Sequence, residues 1–190
     1  MAKVAERDSD LARRCRQGDT AAWRRLVRRF TPLVYRVALR MLRNQPAAED
    51  ASQEVFIRVH RSFHGFDPTR PLAPWISRIA YNVCLRQIQK TGRRGETLTD
   101  PVQMPQPEGA GRGGPEERAA TREASGLLLR AVDRLPAQDR ALLTLRYREG
   151  LSDAEVAEAT GMPVGTVKTR IFRARARLKQ DLAPVLEVAQ

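Results

Sequence analysis

The stretch Leu151-Ser152-Asp153-Ala154-Glu155-Val156-Ala157-Glu158-Ala159-Thr160-Gly161-Met162-Pro163-Val164-Gly165-Thr166-Val167-Lys168-Thr169-Arg170-Ile171-Phe172-Arg173-Ala174-Arg175 decides the fold of the second half of the chain. Ser152 and Glu155 stand three apart, the spacing at which each side chain satisfies an otherwise unpaired amide of a helix's first turn. Gly161-Met162-Pro163 then turns the chain. Beyond it Val164, Val167, Ile171, Ala174 and Leu178 recur in a 3-4-3-4 rhythm that predicts one buried helical stripe. A short helix, a turn with glycine and a longer basic helix form the helix-turn-helix pattern. With Ile171 pointing inward at about 100° per residue, the outward face carries Thr166, Thr169, Arg173 and Ala176. Arg170, Phe172 and Arg177 flank that face, with Lys168 further round. Arg175 falls near the buried stripe and is expected to serve packing or an internal ion pair. A helix of this diameter fits the DNA major groove, where Arg and Lys reach guanine acceptors and Thr reaches base edges. Phe172, an aromatic on a polar face, suits contact with a thymine methyl. An ordinary amphipathic helix with a solvated basic face would need neither the capping box nor a run free of acids: residues 163–180 hold six Lys/Arg and no Asp/Glu.

Upstream of this unit, a helix is expected around Arg122–Leu135, stopped by Pro136. Another runs to Tyr147–Glu149 and ends at Gly150. Residues 91–118 break every periodic pattern, with six glycines and four prolines between Gly92 and Pro115. Such a composition predicts a flexible linker. The expected organisation is therefore a first domain over 1–90, a linker over 91–121 and a second domain over 122–190.

The first domain shows only helical spacing. Trp23, Leu26, Val27, Phe30, Val34, Val37, Ala38 and Met41 mark one long helix, capped by Asp19 or Thr20 and kinked or divided by Pro32. A second helix begins at Pro46 and buries Ala51, Val55, Val59 and Phe63. After a loop with Pro68, Pro71 and Pro74, a third buries Trp75, Ile76, Ile79, Ala80, Val83 and Cys84. Trp75 reads as core because it begins that stripe. The fold class is all-α: two small helical domains, a bundle and a helix-turn-helix.

Charge narrows the partners. The chain carries a formal net charge of +12, which favours a polyanion. It is unevenly spread: 1–90 holds eighteen Lys/Arg against eight Asp/Glu, and 91–126 five against six. Within the basic first domain, Asp50, Gln53, Glu54, Ile57 and Arg61 share one outward face, and an acidic face with an apolar centre suggests a protein partner. Arg78, Asn82, Arg86 and Gln89 face outward on the third helix beside the loop carrying Phe66. Basic and amide groups next to an aromatic suit backbone contacts and capture of an unstacked base.

Several classes are excluded. Cys15 and Cys84 lie far apart without a CxxC, and His60 and His64 have no neighbouring ligands, so neither a disulfide framework nor a zinc site is expected. No apolar leader or run of about 20 apolar residues appears, so no membrane span and a cytoplasmic location are expected. No nucleophile–base pair, metal cluster or phosphate-binding glycine loop is present. The chain is expected to perform no bond chemistry and to need no cofactor. A self-sufficient helix-turn-helix regulator or a serine recombinase would require an α/β first domain, for which strand patterns are missing.

Three segments resemble the extracytoplasmic-function sigma factors of the sigma-70 family. Ala48-Glu49-Asp50-Ala51-Ser52-Gln53-Glu54-Val55-Phe56 resembles the polymerase-binding motif of region two. Trp75-Ile76-Ser77-Arg78-Ile79-Ala80-Tyr81-Asn82 resembles that region's promoter-melting helix, and the helix-turn-helix stretch resembles region four. The resemblance implies a non-enzymatic subunit that binds core RNA polymerase and promoter DNA and is commonly held by an anti-sigma factor. It implies core contacts at Asp50, Gln53 and Glu54, to which the same outward face adds Ile57. It implies minus-ten contacts at Phe66, Ile79 and Asn82, to which the outward face of the third helix adds Arg78 and Arg86, and minus-thirty-five contacts at Lys168, Thr169, Phe172 and Arg173, to which the outward face and flank of the last helix add Thr166, Arg170 and Arg177. One departure stands out: the family often has an acid where this chain has Arg86.

Overall fold

The computed structural model describes residues 2–93 and 125–188, and among them no strand forms. The first half holds α1 (Ala2–Arg16), α2 (Thr20–Leu42), α3 (Gln45–Ser62) and α4 (Leu72–Arg93). The second holds α5 (125–133), α6 (Ala137–Leu143), α7 (Asp153–Thr160) and α8 (Val164–Val188). Helix α4 extends three residues past the expected start of the linker, whose remainder lies outside the described residues.

Local chemistry sets the boundaries. The Asp19 carboxylate accepts from the amides of Ala21 and Ala22 to start α2, and also takes two bonds from Arg14. Those bonds hold its pKa below the usual carboxylate range. Asn44 caps α3 through the amide of Ala47. Pro32 lies inside α2 without dividing it. Helix α1 contributes a cap in trans: Asp8 of α1 is 3 % exposed, accepts from the Leu72 amide at the start of α4 and meets Arg29 of α2 at 2.6 Å. The segment after α6 widens into one π-helical turn, Thr144–Arg148, with the Glu149 amide donating to the Thr144 carbonyl.

Helix α2 packs against both α3 and α4, with α1 laid across α2. The expected stripes face the core, with Trp23, Trp75, Ile79 and Leu178 half-buried at its edge, and with two departures: Val27 on α2 and Val164 on α8 are exposed. An aromatic knot closes the end of the bundle. Phe63 lies 4.7 Å from Trp23, 5.6 Å from Trp75 and 5.7 Å from Phe66 between ring centroids. The Trp23 indole donates to the Cys15 carbonyl. Both cysteines are buried, and burial pushes the Cys15 thiol up to about 11 and the Cys84 thiol up to about 12. The second half does not stand apart. Helix α7 packs on α4 and α6 on α2, so one continuous apolar cluster runs through both halves.

Candidate nucleic-acid interfaces

In the second half the capping box forms as expected. The Ser152 hydroxyl accepts from the Glu155 amide, and the Glu155 carboxylate accepts from the Ser152 amide. Gly161 caps α7 at φ 72°, a left-handed conformation that a side chain strains. Helix α8 then presents Thr166, Lys168, Thr169, Phe172, Arg173 and Arg177 to solvent. Phe172 is 73 % exposed, the most exposed large apolar side chain among the described residues. The Thr169 hydroxyl donates back to the Gly165 carbonyl, leaving its oxygen lone pairs outward.

Arg170 differs from this set. Its guanidinium is half-buried, with Nε 2.7 Å from Asp139 Oδ1 and Nη1 2.8 Å from Gln138 Oε1. It fastens α8 to α6 and does not join the outward face. Arg175 is exposed, with its guanidinium 5.8 Å from the centre of the Tyr147 ring, so its internal contact is cation–π rather than an ion pair.

In the first half a groove of about 340 Å³ opens between α3 and α4, lined by Arg58, Arg61, Ser62, Ile79, Asn82 and Arg86. It brings together Ile79, Asn82 and Arg86 of the five expected minus-ten residues. The other two lie elsewhere. Phe66 is 4 % exposed, its ring tilted against Trp75 with centroids 4.6 Å apart inside the aromatic knot, so it is not an accessible platform on the loop. Arg78 is exposed but points to the Glu158 carbonyl of α7. Arg58 and Ser62 were not singled out from sequence, although with Arg61 they follow the i, i+3, i+4 spacing of one helix face. Three guanidinium groups, an amide and an apolar side chain around one groove can hold a phosphate, a base edge and a base face together.

On α3 the acidic face is in place. Asp50, Gln53 and Ile57 are exposed, Ile57 at 46 %, while Glu54 is half-buried and pairs with Arg58. It therefore links the acidic face to the groove. Among the described residues no three His, Cys, Asp or Glu side chains gather as a metal site, and no helix is long and apolar enough to cross a membrane.

A helix-turn-helix with an open basic face, in an all-α fold that also carries a cationic groove, marks the class of helical DNA-binding proteins. The model for sigma-70 region 2 matches residues 26–94 and that for sigma-70 region 4 matches 125–178. The chain is 32% identical over 178 residues to the ECF RNA polymerase sigma factor SigW of Bacillus subtilis (strain 168), covering 88% of this chain and 92% of that protein. It belongs to the extracytoplasmic-function sigma factors of the sigma-70 family, and is a transcription initiation factor. It is also 31% identical over 186 residues to the ECF RNA polymerase sigma-E factor of Escherichia coli (strain K12), covering 94% of this chain and 96% of that one. Two solved structures share the fold. One is CnrH in complex with the cytosolic domain of CnrY (TM-score 0.63, 23% identity, 96% of this chain and 99% of that one). The other is the sigma factor RpoE in complex with the anti-sigma factor NepR from Bartonella quintana (TM-score 0.67, 22% identity, 84% and 96%).

Proposed function

We propose that this chain directs core RNA polymerase, in the cytoplasm, to promoters carrying two elements read by its two halves. Residues 1–90 serve as the polymerase-binding, minus-ten and strand-opening domain, and 122–190 as the minus-thirty-five domain. The observation that carries this reading is the difference between its two surfaces: an α3–α4 groove suited to an unstacked nucleotide, and an exposed α8 face suited to duplex.

In this assignment Asp50, Gln53, Glu54 and Ile57 dock on polymerase. Ile79, Asn82 and Arg86, joined by Arg58, Arg61 and Ser62, hold the opened strand. Thr166, Lys168, Thr169, Phe172, Arg173 and Arg177 enter the upstream major groove. Phe66 supports the groove from behind by fixing the loop, and Arg170 fixes the angle of α8. Arg86, in place of the acid common in the family, adds a cation where a phosphate passes. An anti-sigma protein is the expected regulator, as one solved relative is captured with such a partner. The chain performs no bond chemistry of its own.

Transcription from a promoter library with purified core polymerase tests the reading. The expected result is selection of one promoter class with two separated motifs, strictly dependent on added chain. Tight sequence-specific binding by the chain alone, with no effect on polymerase, would instead mark a self-sufficient regulator.

A further inference from the structure

We propose that the helical hairpin of α1 and α2 is a further single-strand contact, an arginine surface that takes the sugar–phosphate backbone of the opened strand where it leaves the α3–α4 groove. This inference rests on the two-element reading above and gives a task to residues which that reading leaves unused.

Residues 8–29 hold seven arginines and three aspartates. Two of the aspartates are already engaged, Asp8 with Arg29 at 2.6 Å and Asp19 with Arg14 at 2.7 Å. The third, Asp10, lies within electrostatic reach of Arg14. Arg13, Arg16, Arg24, Arg25 and Arg28 remain, all exposed and without an ion pair among the described residues. The hairpin thus carries an uncompensated positive surface, the footprint expected of a site for a polyanion.

On α2, Arg24, Arg25 and Arg28 fall within about 100° of arc, on the side away from the buried Leu26, Phe30 and Val34. Arg24 and Arg28 are about 6 Å apart along the axis, a spacing that successive phosphates of an extended strand can match. Like charges four apart on one helix repel, and an anion bound across them relieves that repulsion. Val27 stands between these two arginines and is 37 % exposed. An apolar side chain among guanidiniums suits the sugars and base faces of a strand whose phosphates the arginines hold.

Position selects the anion. The Trp23 ring centroid lies 4.8 Å from that of His60 and 4.7 Å from that of Phe63, so the start of α2 abuts the end of α3. Arg61 and Ser62, which follow His60, line the groove. Arg24, which follows Trp23, therefore stands across the α2–α3 seam from the groove's rim. Arg16, on α1, is within electrostatic reach of Asp67, in the loop that leads from the end of α3 to α4. The acids of the docking face, Asp50 and Glu54, lie about 10 to 16 Å back along α3 from Arg61. They leave the end of α3 open to a strand that passes from the groove's cations to those of the hairpin.

Binding of single-stranded oligodeoxynucleotides to holoenzyme reconstituted from this chain and core polymerase tests the assignment. Each probe carries the minus-ten motif that the promoter library selects, either alone or extended on its upstream or downstream side. The extension is about eight nucleotides of mixed sequence, within the range of single-strand site sizes, with either phosphodiester or uncharged methylphosphonate linkages. The extension that runs over the hairpin should tighten binding several-fold, and only when its linkages are charged. Combining Arg24→Ala with Arg28→Ala should abolish that gain. It should also lower the log–log salt dependence of binding by about 1.4, at about 0.7 for each phosphate contact on a single strand. Both side chains are exposed and alanine favours helix, so the variant should keep its helical dichroism and its affinity for core. A wild-type holoenzyme indifferent to both extensions, or a gain that survives in the double variant, would overturn the proposal. Loss of core affinity in the double variant would mark the hairpin as a protein dock and overturn it equally. Failure of wild-type holoenzyme to bind the unextended motif would refute the two-element reading, and this inference with it.

Discussion

Arg170 and Arg173 stand three positions apart on α8, and their surroundings give them different tasks. Arg173 is exposed with no ion pair among the described residues, whereas Arg170 is held by Asp139 and Gln138. Arg173→Ala should therefore weaken recognition of the upstream element by about 1–3 kcal/mol. In transcription assays the loss should fall chiefly on promoters that retain that element, and an unchanged promoter profile would remove Arg173 from the reading face. Arg170→Ala should lower thermal stability and leave the promoter profile intact. Sequence spacing placed both residues on or beside one outward face, because a wheel treats a helix as isolated. Only the packing of α6 shows which guanidinium is already engaged.

At the scale of elements, α3 and α1 carry the sharpest consequences. Helix α3 turns its stripe of Ala51, Val55 and Val59 inward and its acids outward, so replacing Asp50 and Glu54 together by Lys should weaken core binding with little loss of helicity. A pull-down with core polymerase checks this, and normal affinity would reject α3 as the docking face. Helix α1 was not legible in advance. Charged residues interrupt its apolar spacing, and it is held mainly by tertiary contacts of Leu11, Ala12 and Cys15 and by the Asp8 cap on α4. Asp8→Ala leaves the Leu72 amide and the Arg29 guanidinium without this partner, and should cost about 1–2 kcal/mol in denaturant unfolding. The π turn after α6 was equally hidden, since its sequence differs little from an α-helical one.

For the whole molecule, helical periodicity, caps and punctuation were enough to read an all-α chain in two halves, with the helix-turn-helix correctly bounded at Ser152, Gly161 and Val164. The mutual packing of the halves was not readable. It depends on contacts such as Arg36–Glu149 and Arg140–Met41, between residues about a hundred positions apart that leave no periodic trace. The proposed minus-ten surface was half-legible for the same reason: Asn82 and Ile79 follow from one helix, but the groove needs α3 beside it, and Phe66 needed the aromatic knot to be seen as buried. That knot has an optical consequence. The chain has two tryptophans, Trp23 and Trp75, and both are packed on Phe63 in the first half. Intrinsic indole emission is thus blind to the helix-turn-helix, while far-ultraviolet dichroism sees all helices. If the continuous core makes the two halves melt as one cooperative unit, emission and dichroism curves should superimpose in urea. In Arg36→Glu they should separate, each half then reporting its own midpoint.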